Sequence, residues 1–330
     1  MTTPLSILNL ATIDSGSSAS QALQESIELA ELGEDLGFKR HWFAEHHGMP
    51  SIATSSPEIL ISHVAQRTES MRIGSGGIML PNHTPIQVAE RFHTLESLYP
   101  GRIDLGIGRA PGSNSATMRA VRPYDSSNYP DQLQELKALS RGDFAEGHPF
   151  SGVSVMPDDV DLPPIWLLSS SGGTAKLAGK LGVGYSFATH FSPSPVKPAI
   201  DKYLEHFEPS ERFSEPHVIL AVSALCAPSD QEAQFLAGSL DLSHVRRMRG
   251  DLSPLPSPQE AAEYDYSIVE KQAVQKNRDQ HFIGEPEAVR EELEDLVKRT
   301  GADELMVTCL THGQDNRTRS FELLADAFGM

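Results

Sequence analysis

Arg72-Ile73-Gly74-Ser75-Gly76-Gly77-Ile78-Met79-Leu80, then residues 85–98, then Arg102-Ile103-Asp104-Leu105-Gly106-Ile107-Gly108 form the stretch that decides the fold. The first and last pieces are apolar runs of strand length, the first interrupted by glycine. Between them Ile86, Ala89, Phe92 and Leu95 recur at helical spacing behind Pro85, whose missing N–H is harmless at a helix start. Strand, helix and strand in that order make a parallel pair with a right-handed crossover.

The alternation extends both ways. Upstream, residues 5–10 read as a strand, 19–36 as a helix ended by Gly37, 41–44 as a strand and 57–67 as a helix. Downstream come a helix at 129–139, a fifth strand at 164–169 with a helix at 173–181, a sixth strand at 185–188 and a seventh at 218–225. A helix at 286–299, with Val289, Leu293, Leu296 and Val297 inward and Gly301 as terminator, leads to an eighth strand at 304–310. Eight such units imply an α/β fold, a TIM (β/α)8 barrel, as one domain over residues 1–330. An open doubly wound sheet is the structural alternative. Residues 190–215 and 245–282, with proline clusters at 193–198 and 254–258, read as insertions after strands six and seven.

The formal net charge of −18 disfavours contact with nucleic-acid phosphates or anionic membranes and leaves a small molecule as the natural partner. Cys226 and Cys309 are too few for a disulfide framework, lack metal-ligand spacing, and sit in apolar strands as expected packing residues. No basic leader opens the chain, and no apolar run approaches the roughly 18 to 20 residues that span a bilayer, so a soluble cytoplasmic protein is expected.

On a barrel the loops that follow the strands share the catalytic face, so unusual residues there matter most. Strand two ends in Trp42-Phe43-Ala44-Glu45-His46-His47-Gly48, placing two imidazoles able to move protons near neutral pH beside a carboxylate. A metal site of Glu45, His46 and His47 is disfavoured, because adjacent strand residues point to opposite faces; no metal is expected. The glycines at 74, 76 and 77 suggest backbone lying against a ligand, with tight barrel packing as the alternative. Gly106-Ile107-Gly108-Arg109-Ala110-Pro111-Gly112 offers the Arg109 cation beside small residues, although Arg109 could serve a structural ion pair. Its glycines lack the GxGxxG spacing and follow the fourth strand, which rejects a Rossmann fingerprint. Leu168-Ser169-Ser170-Ser171-Gly172-Gly173-Thr174 combines hydroxyls, flexible backbone and a helix start, the ingredients of a phosphate site. One helix cap needs one such residue and this loop has four, while the absence of a P-loop lysine argues against triphosphate hydrolysis.

Taken together, Ala44-Glu45-His46-His47, Gly76-Gly77-Ile78-Met79-Leu80-Pro81-Asn82, Gly101-Arg102-Ile103-Asp104-Leu105-Gly106-Ile107-Gly108-Arg109 and Phe282-Ile283-Gly284-Glu285-Pro286 resemble the bacterial luciferase-like flavin monooxygenases in order and spacing. The resemblance implies FMN, with its phosphate at Ser170, Ser171, Gly172, Gly173 and Thr174 and its ring across the ends of strands three and four, near Gly76, Gly77, Asn82 and Arg109. It implies a non-prolyl cis peptide at Gly76-Gly77. It assigns His46 the catalytic position, His47 a supporting one and Arg109 a place near the flavin. The luciferase cysteine before that arginine is Gly108 here, and the acidic residue of its phosphate loop is Ser170, so light emission is not implied.

The function this resemblance implies is a monooxygenase that takes reduced FMN from a separate NAD(P)H-dependent flavin reductase and uses O2 on a small organic substrate, working as a homodimer. Two rivals stand beside it: a deazaflavin-dependent dehydrogenase on the same fold, and a non-catalytic flavin-binding protein.

Overall fold

The structure is a computed structural model that describes residues 3–121, 127–192 and 194–330. Its strands are β1 (Leu5–Asn9), β2 (Arg40–Phe43), β3 (Arg72–Ser75), β4 (Ile78–Met79), β5 (Ile103–Gly108), β6 (Ile165–Ser169), β7 (Gly184–Ala188), β8 (Val218–Cys226), β9 (His281–Gly284) and β10 (Glu304–Thr308). Parallel pairing runs β1-β2-β3-β5-β6-β7-β8, and β10 joins β8 back to β1. That closure makes a TIM barrel and excludes the open sheet. The glycine-interrupted third strand divides at the cis Gly76-Gly77 peptide, and β4 resumes the pairing with β5.

Long helices cover the barrel, among them Ala19–Asp35, Pro57–Arg67, Pro85–Leu98, Tyr129–Arg141, Pro286–Thr300 and Gln314–Phe328. Segment 190–215, expected as an insertion, also holds the sixth unit's helix, Val196–Glu205; Pro193 of its proline cluster lies outside the described residues. Segment 245–282 is an insertion after the seventh barrel strand, β8, and contains the helices Pro258–Glu263 and Ile268–Arg278. It ends in β9, which sequence reasoning did not resolve as a strand and which pairs with the upper half of β8, above the closed barrel. Cys226 and Cys309 are buried free thiols, with burial pushing them up to about 12 and about 11. Among the described residues no helix is long and apolar enough to cross a membrane.

The barrel interior is filled at its lower end by an ion network rather than by aliphatic residues alone. Arg40 donates to Asp104 at 2.7 Å and to Glu304 at 2.8 Å, and the three side chains come from β2, β5 and β10. Arg72 joins Asp104 at 2.6 Å, Lys39 lies 3.2 Å from Glu304, and Ser6 donates to Glu304 at 2.5 Å. Trp42 donates its indole N–H to Asp104 at 3.1 Å and meets Trp166 edge to face at 5.6 Å, while the Arg40 guanidinium lies 4.7 Å from the Trp166 ring centroid.

Both indoles need a bare backbone beside them. Trp42 is in register with Gly74 and Trp166 with Gly184, and a Cβ on either glycine would collide with its tryptophan. Gly76 and Gly77 are likewise explained from within the protein, since a Cβ at either would come within 2.7 Å of Leu8 or 2.6 Å of the Gly106 carbonyl. The tight-packing alternative therefore accounts for the missing side chains without a ligand.

Burial alone would raise the carboxyl pKa of Glu304, but His217, Arg40 and Lys39 overcome it and hold it at about 2; Arg40 and Arg72 likewise keep Asp104 low. Arg40→Met should remove about 3–5 kcal/mol of stability at neutral pH by leaving two buried carboxylates short of their cation. Because both folded-state values are depressed, the stability these groups contribute is present above their unfolded values near about 4. It is lost as pH falls towards 2, so the gap between wild type and variant, read by urea unfolding, should narrow over that range.

Candidate active site at the barrel mouth

The C-terminal ends of β2, β3, β4, β5 and β6 carry the candidate catalytic and flavin-binding residues singled out in the sequence. Glu45 follows β2, is 1% exposed, and is the centre of one group. Its carboxylate accepts from the Met79 amide at 2.9 Å, from Asn82 Nδ2 at 3.1 Å, from His47 Nε2 at 2.9 Å and from His83 Nε2 at 3.0 Å. Burial alone would raise its pKa; the bonds from His47, His83 and Met79 reverse that and hold it at about 2, so Glu45 is an anion throughout the neutral range.

This anion fixes the loop that carries His46. The His46 amide donates to the Thr54 carbonyl and the His47 amide to the Gly112 carbonyl, at 2.9 and 3.0 Å. His46 Nδ1 lies 3.4 Å from the Gly112 carbonyl, which can only accept, so the proton belongs on Nδ1 and the lone pair on Nε2. Burial lowers the His46 pKa, with partial opposition from Gly112 and Glu45, and keeps the ring neutral. His47 is shifted the other way: the Glu45 hydrogen bond raises it against a smaller effect of burial. Adjacent histidines thus have opposite tendencies, one shifted towards the neutral base and the other towards the protonated ring by its bond to a carboxylate.

Residues 109–112 connect this group to the second. Asn82 Nδ2 donates to the Pro111 carbonyl at 3.1 Å, and Gly112, with φ +61°, packs so closely on the Glu45 carbonyl that a Cβ would come within 2.6 Å of it. From the same segment Arg109 reaches the loop after β6, where its Nη2 would lie 3.5 Å from a Cβ on Gly173. Met79 fills the space that the absent side chain of Gly108 leaves, since a Cβ there would come within 2.7 Å of its sulfur.

In the loop after β6, Ser169 is the residue that does the local capping, its Oγ accepting from the Gly172 amide at 2.9 Å. Thr174, at the N-cap of the helix Ala175–Lys180, makes no side-chain cap and donates weakly to the Leu168 carbonyl at 3.4 Å. Ser192, from the loop after β7, bonds the Ser170 carbonyl and braces the turn. Ser171 and Gly173 are exposed, and Gly172 turns the backbone at φ +71°. The exposed Ser171 hydroxyl, a helix start without a side-chain cap and the adjacent Arg109 guanidinium suit an anionic phosphate.

The structure therefore gathers His46, His47 and Asn82 around Glu45, sets Arg109 against residues 170–174, and places Gly76 and Gly77 in the wall between. Sequence reasoning missed Glu45 as an organiser, weighing it only as a metal ligand, and missed His83, Gly112 and Ser192. The signal for His83 was its position directly after Asn82; nothing in the sequence marks a backbone carbonyl such as that of Gly112. Glu45→Gln should lower the pKa of His47 by about one unit or more, read by proton NMR titration of its ring resonances. An unshifted His47 would remove Glu45 from this role.

The comparisons with known proteins agree with this fold. The profile of the luciferase-like monooxygenase family matches residues 3–304. A luciferase-like monooxygenase of Escherichia coli strain K12 is 39% identical over 98% of this chain and 97% of its own. The N-acetyl-S-alkylcysteine monooxygenase of Bacillus subtilis strain 168 is 31% identical over 98% of this chain and 97% of its own. Among solved structures, apo-MsnO8 superposes with a TM-score of 0.88 at 36% identity, covering 99% of this chain and 98% of the other. With its closed parallel barrel and this match along nearly its whole length, the chain belongs to the luciferase-like monooxygenase family.

Proposed function

We propose that the protein is the oxygenating component of a two-component, FMN-dependent monooxygenase. It would take reduced FMN from a separate NAD(P)H-dependent reductase and use O2 to oxygenate a small organic substrate, as a cytoplasmic homodimer. The observation that carries this reading is the pairing, across one barrel mouth, of a neutral histidine base at His46 with an anion cradle at Arg109 and the loop 170–174.

FMN, when bound, supplies the activation of oxygen. Arg109, Ser170, Ser171 and Thr174, with the backbone of Gly172 and Gly173, would hold its phosphate. Gly76 and Gly77 present bare backbone in the barrel wall against which a planar ring can lie. Asn82 spends its amide donors on Glu45 and Pro111, so we place it as a positioning residue for the loop behind that ring. His46 Nε2 is the group that accepts or returns a proton at the reacting centre, its tautomer set by Gly112. His47 keeps Glu45 paired.

The charge of the chain favours FMN over the deazaflavin alternative, whose acidic tail would meet a protein of net charge −18. The relative that acts on N-acetyl-S-alkylcysteines makes thioethers the first substrates to screen.

His46→Ala should lower turnover about 10²- to 10⁴-fold, the usual contribution of a general acid or base, and leave the affinity for reduced FMN within about two-fold, read by reductase-coupled assay and anaerobic titration. Full activity in this variant would remove His46 from the chemistry. Retained binding function in a protein lacking both His46 and His47, with no turnover in the wild type, would favour the non-catalytic reading.

A further inference from the structure

The segment that carries His46 and His47 leaves β2 at Glu45 and enters the helix Pro57–Arg67, with Glu58 in its first turn. In its middle it is tied to the loop after β1, the Ala53 amide donating to the Ala11 carbonyl at 2.9 Å and the Thr54 hydroxyl to the Leu10 carbonyl at 3.1 Å. Its two ends are held from elsewhere. His83 follows the turn Leu80–Asn82, its amide donating to the Leu80 carbonyl at 3.0 Å, and stands just before the helix Pro85–Leu98, which carries Arg91 in its second turn.

His83 Nε2 lies 3.0 Å from each oxygen of Glu45. A carboxylate anion can only accept, so Nε2 carries a proton shared between the two oxygens, and the plane of the carboxylate is fixed with it. On the other side of the ring, Nδ1 faces Arg91 Nη1 at 3.4 Å; a guanidinium can only donate, so Nδ1 offers its lone pair. The same Arg91 Nη1 lies 3.1 Å from Glu58 Oε1, at a helix start where the dipole favours a carboxylate. The chain Glu45, His83, Arg91, Glu58 therefore begins at one end of the histidine segment and returns to its other end. The partly exposed Arg91 and Glu58 pair is weak as an isolated ion pair. Its effect comes from closure, because tying both ends of a segment removes conformations from everything between them.

We propose that His83 and Arg91 are positioning residues for the reaction: together they clamp Glu45 and Glu58, the two ends of the segment 45–58, and so keep His46 where the Gly112 carbonyl can set its tautomer. Both act through Glu45 and Glu58 rather than at the reacting atoms. Arg91 stands on an outer helix, so a side chain outside the mouth helps to set the proton-accepting group inside it. The link to the reaction rests on the monooxygenase reading; the clamp itself does not.

Amide hydrogen exchange and the nitrogen spectra of the histidine rings, both read by NMR on the flavin-free protein, test it. His83→Phe, which keeps a ring without a donor, and Arg91→Met should each speed exchange of the His46 and His47 amides about ten-fold or more. The Leu105 amide, bonded to the Pro164 carbonyl at 2.9 Å in the barrel wall, should change by less than about two-fold in the same variants. In His83→Phe the His46 ring should pass from the single Nδ1–H form to a mixture of tautomers. His83→Gln, which returns an N–H donor near the position of Nε2, should restore both signals. Unchanged exchange at His46 and His47 in both variants, an equal rise at Leu105, a His46 ring that keeps one tautomer throughout, or a Gln variant as loose as the Phe variant overturns the proposal. Titration of the same proteins with reduced FMN separates the two readings: no flavin binding with the clamp intact sinks the monooxygenase reading alone, and bound flavin over a segment that the variants leave unmoved sinks the clamp alone.

Discussion

Arg40 bridges two buried carboxylates, and the barrel is built around that arrangement. Asp104 and Glu304 come from strands on either side of β2, with β3 between β2 and β5 and with β1 between β2 and β10. A cation held by both fixes the relative height of strands that are far apart in sequence. Such a network is a weak source of net stability, because removing charges from water opposes the gain from pairing them. Its value lies in register. A one-residue slip of any of the three strands would turn its charged residue out of the interior and leave the others unpaired. The two tryptophans and the glycines beside them add a steric version of the same constraint.

Fixed register at the lower end determines what stands at the mouth. The alternation that turns Arg40 and Trp42 inward also brings Ala44 to the rim and delivers Glu45 to the start of the loop. Glu45 then repeats, at the top of the barrel, what Asp104 does at the bottom: one buried carboxylate collects donors from two separate segments, His47 and residues 79–83, and Asn82 ties the assembly to a third by donating to the Pro111 carbonyl. His46 inherits its position and tautomer from that assembly without touching the carboxylate itself. The same segment that supplies Gly112 to His46 supplies Arg109 to the loop after β6, so the proton-handling and anion-binding halves of the mouth share one covalent strut.

Much of this was legible in the sequence because it obeys local rules. Strand and helix periodicity located all eight barrel strands, and helix-start prolines and terminal glycines marked several boundaries. The family motifs supplied the cis Gly76-Gly77 peptide and pointed to His46, His47, Arg109 and the serine loop, which the structure places at one mouth. What was hidden depends on long-range contacts. Arg40, Asp104 and Glu304 look like ordinary charged residues at strand starts, and only closure of the barrel brings them together. The glycines of the third strand were read towards a ligand, with tight packing as the alternative; the contacts that a Cβ there would make, with Asp104, Trp42, Leu8 and the Gly106 backbone, exist only once the barrel closes. Segment 190–215 obscured a regular helix because prolines crowd its start, and β9 was hidden because a four-residue strand above the barrel rim has no periodicity to recognise.

The central claim is that this mouth holds reduced FMN by its phosphate. Anaerobic titration with reduced FMN, reduced riboflavin and the reduced deazaflavin coenzyme, followed by intrinsic tryptophan fluorescence, tests it most directly. Saturable binding of reduced FMN, much weaker binding of riboflavin, and loss of that difference in Arg109→Met are expected. Tighter binding of the deazaflavin coenzyme, or no binding of any of the three, would contradict it.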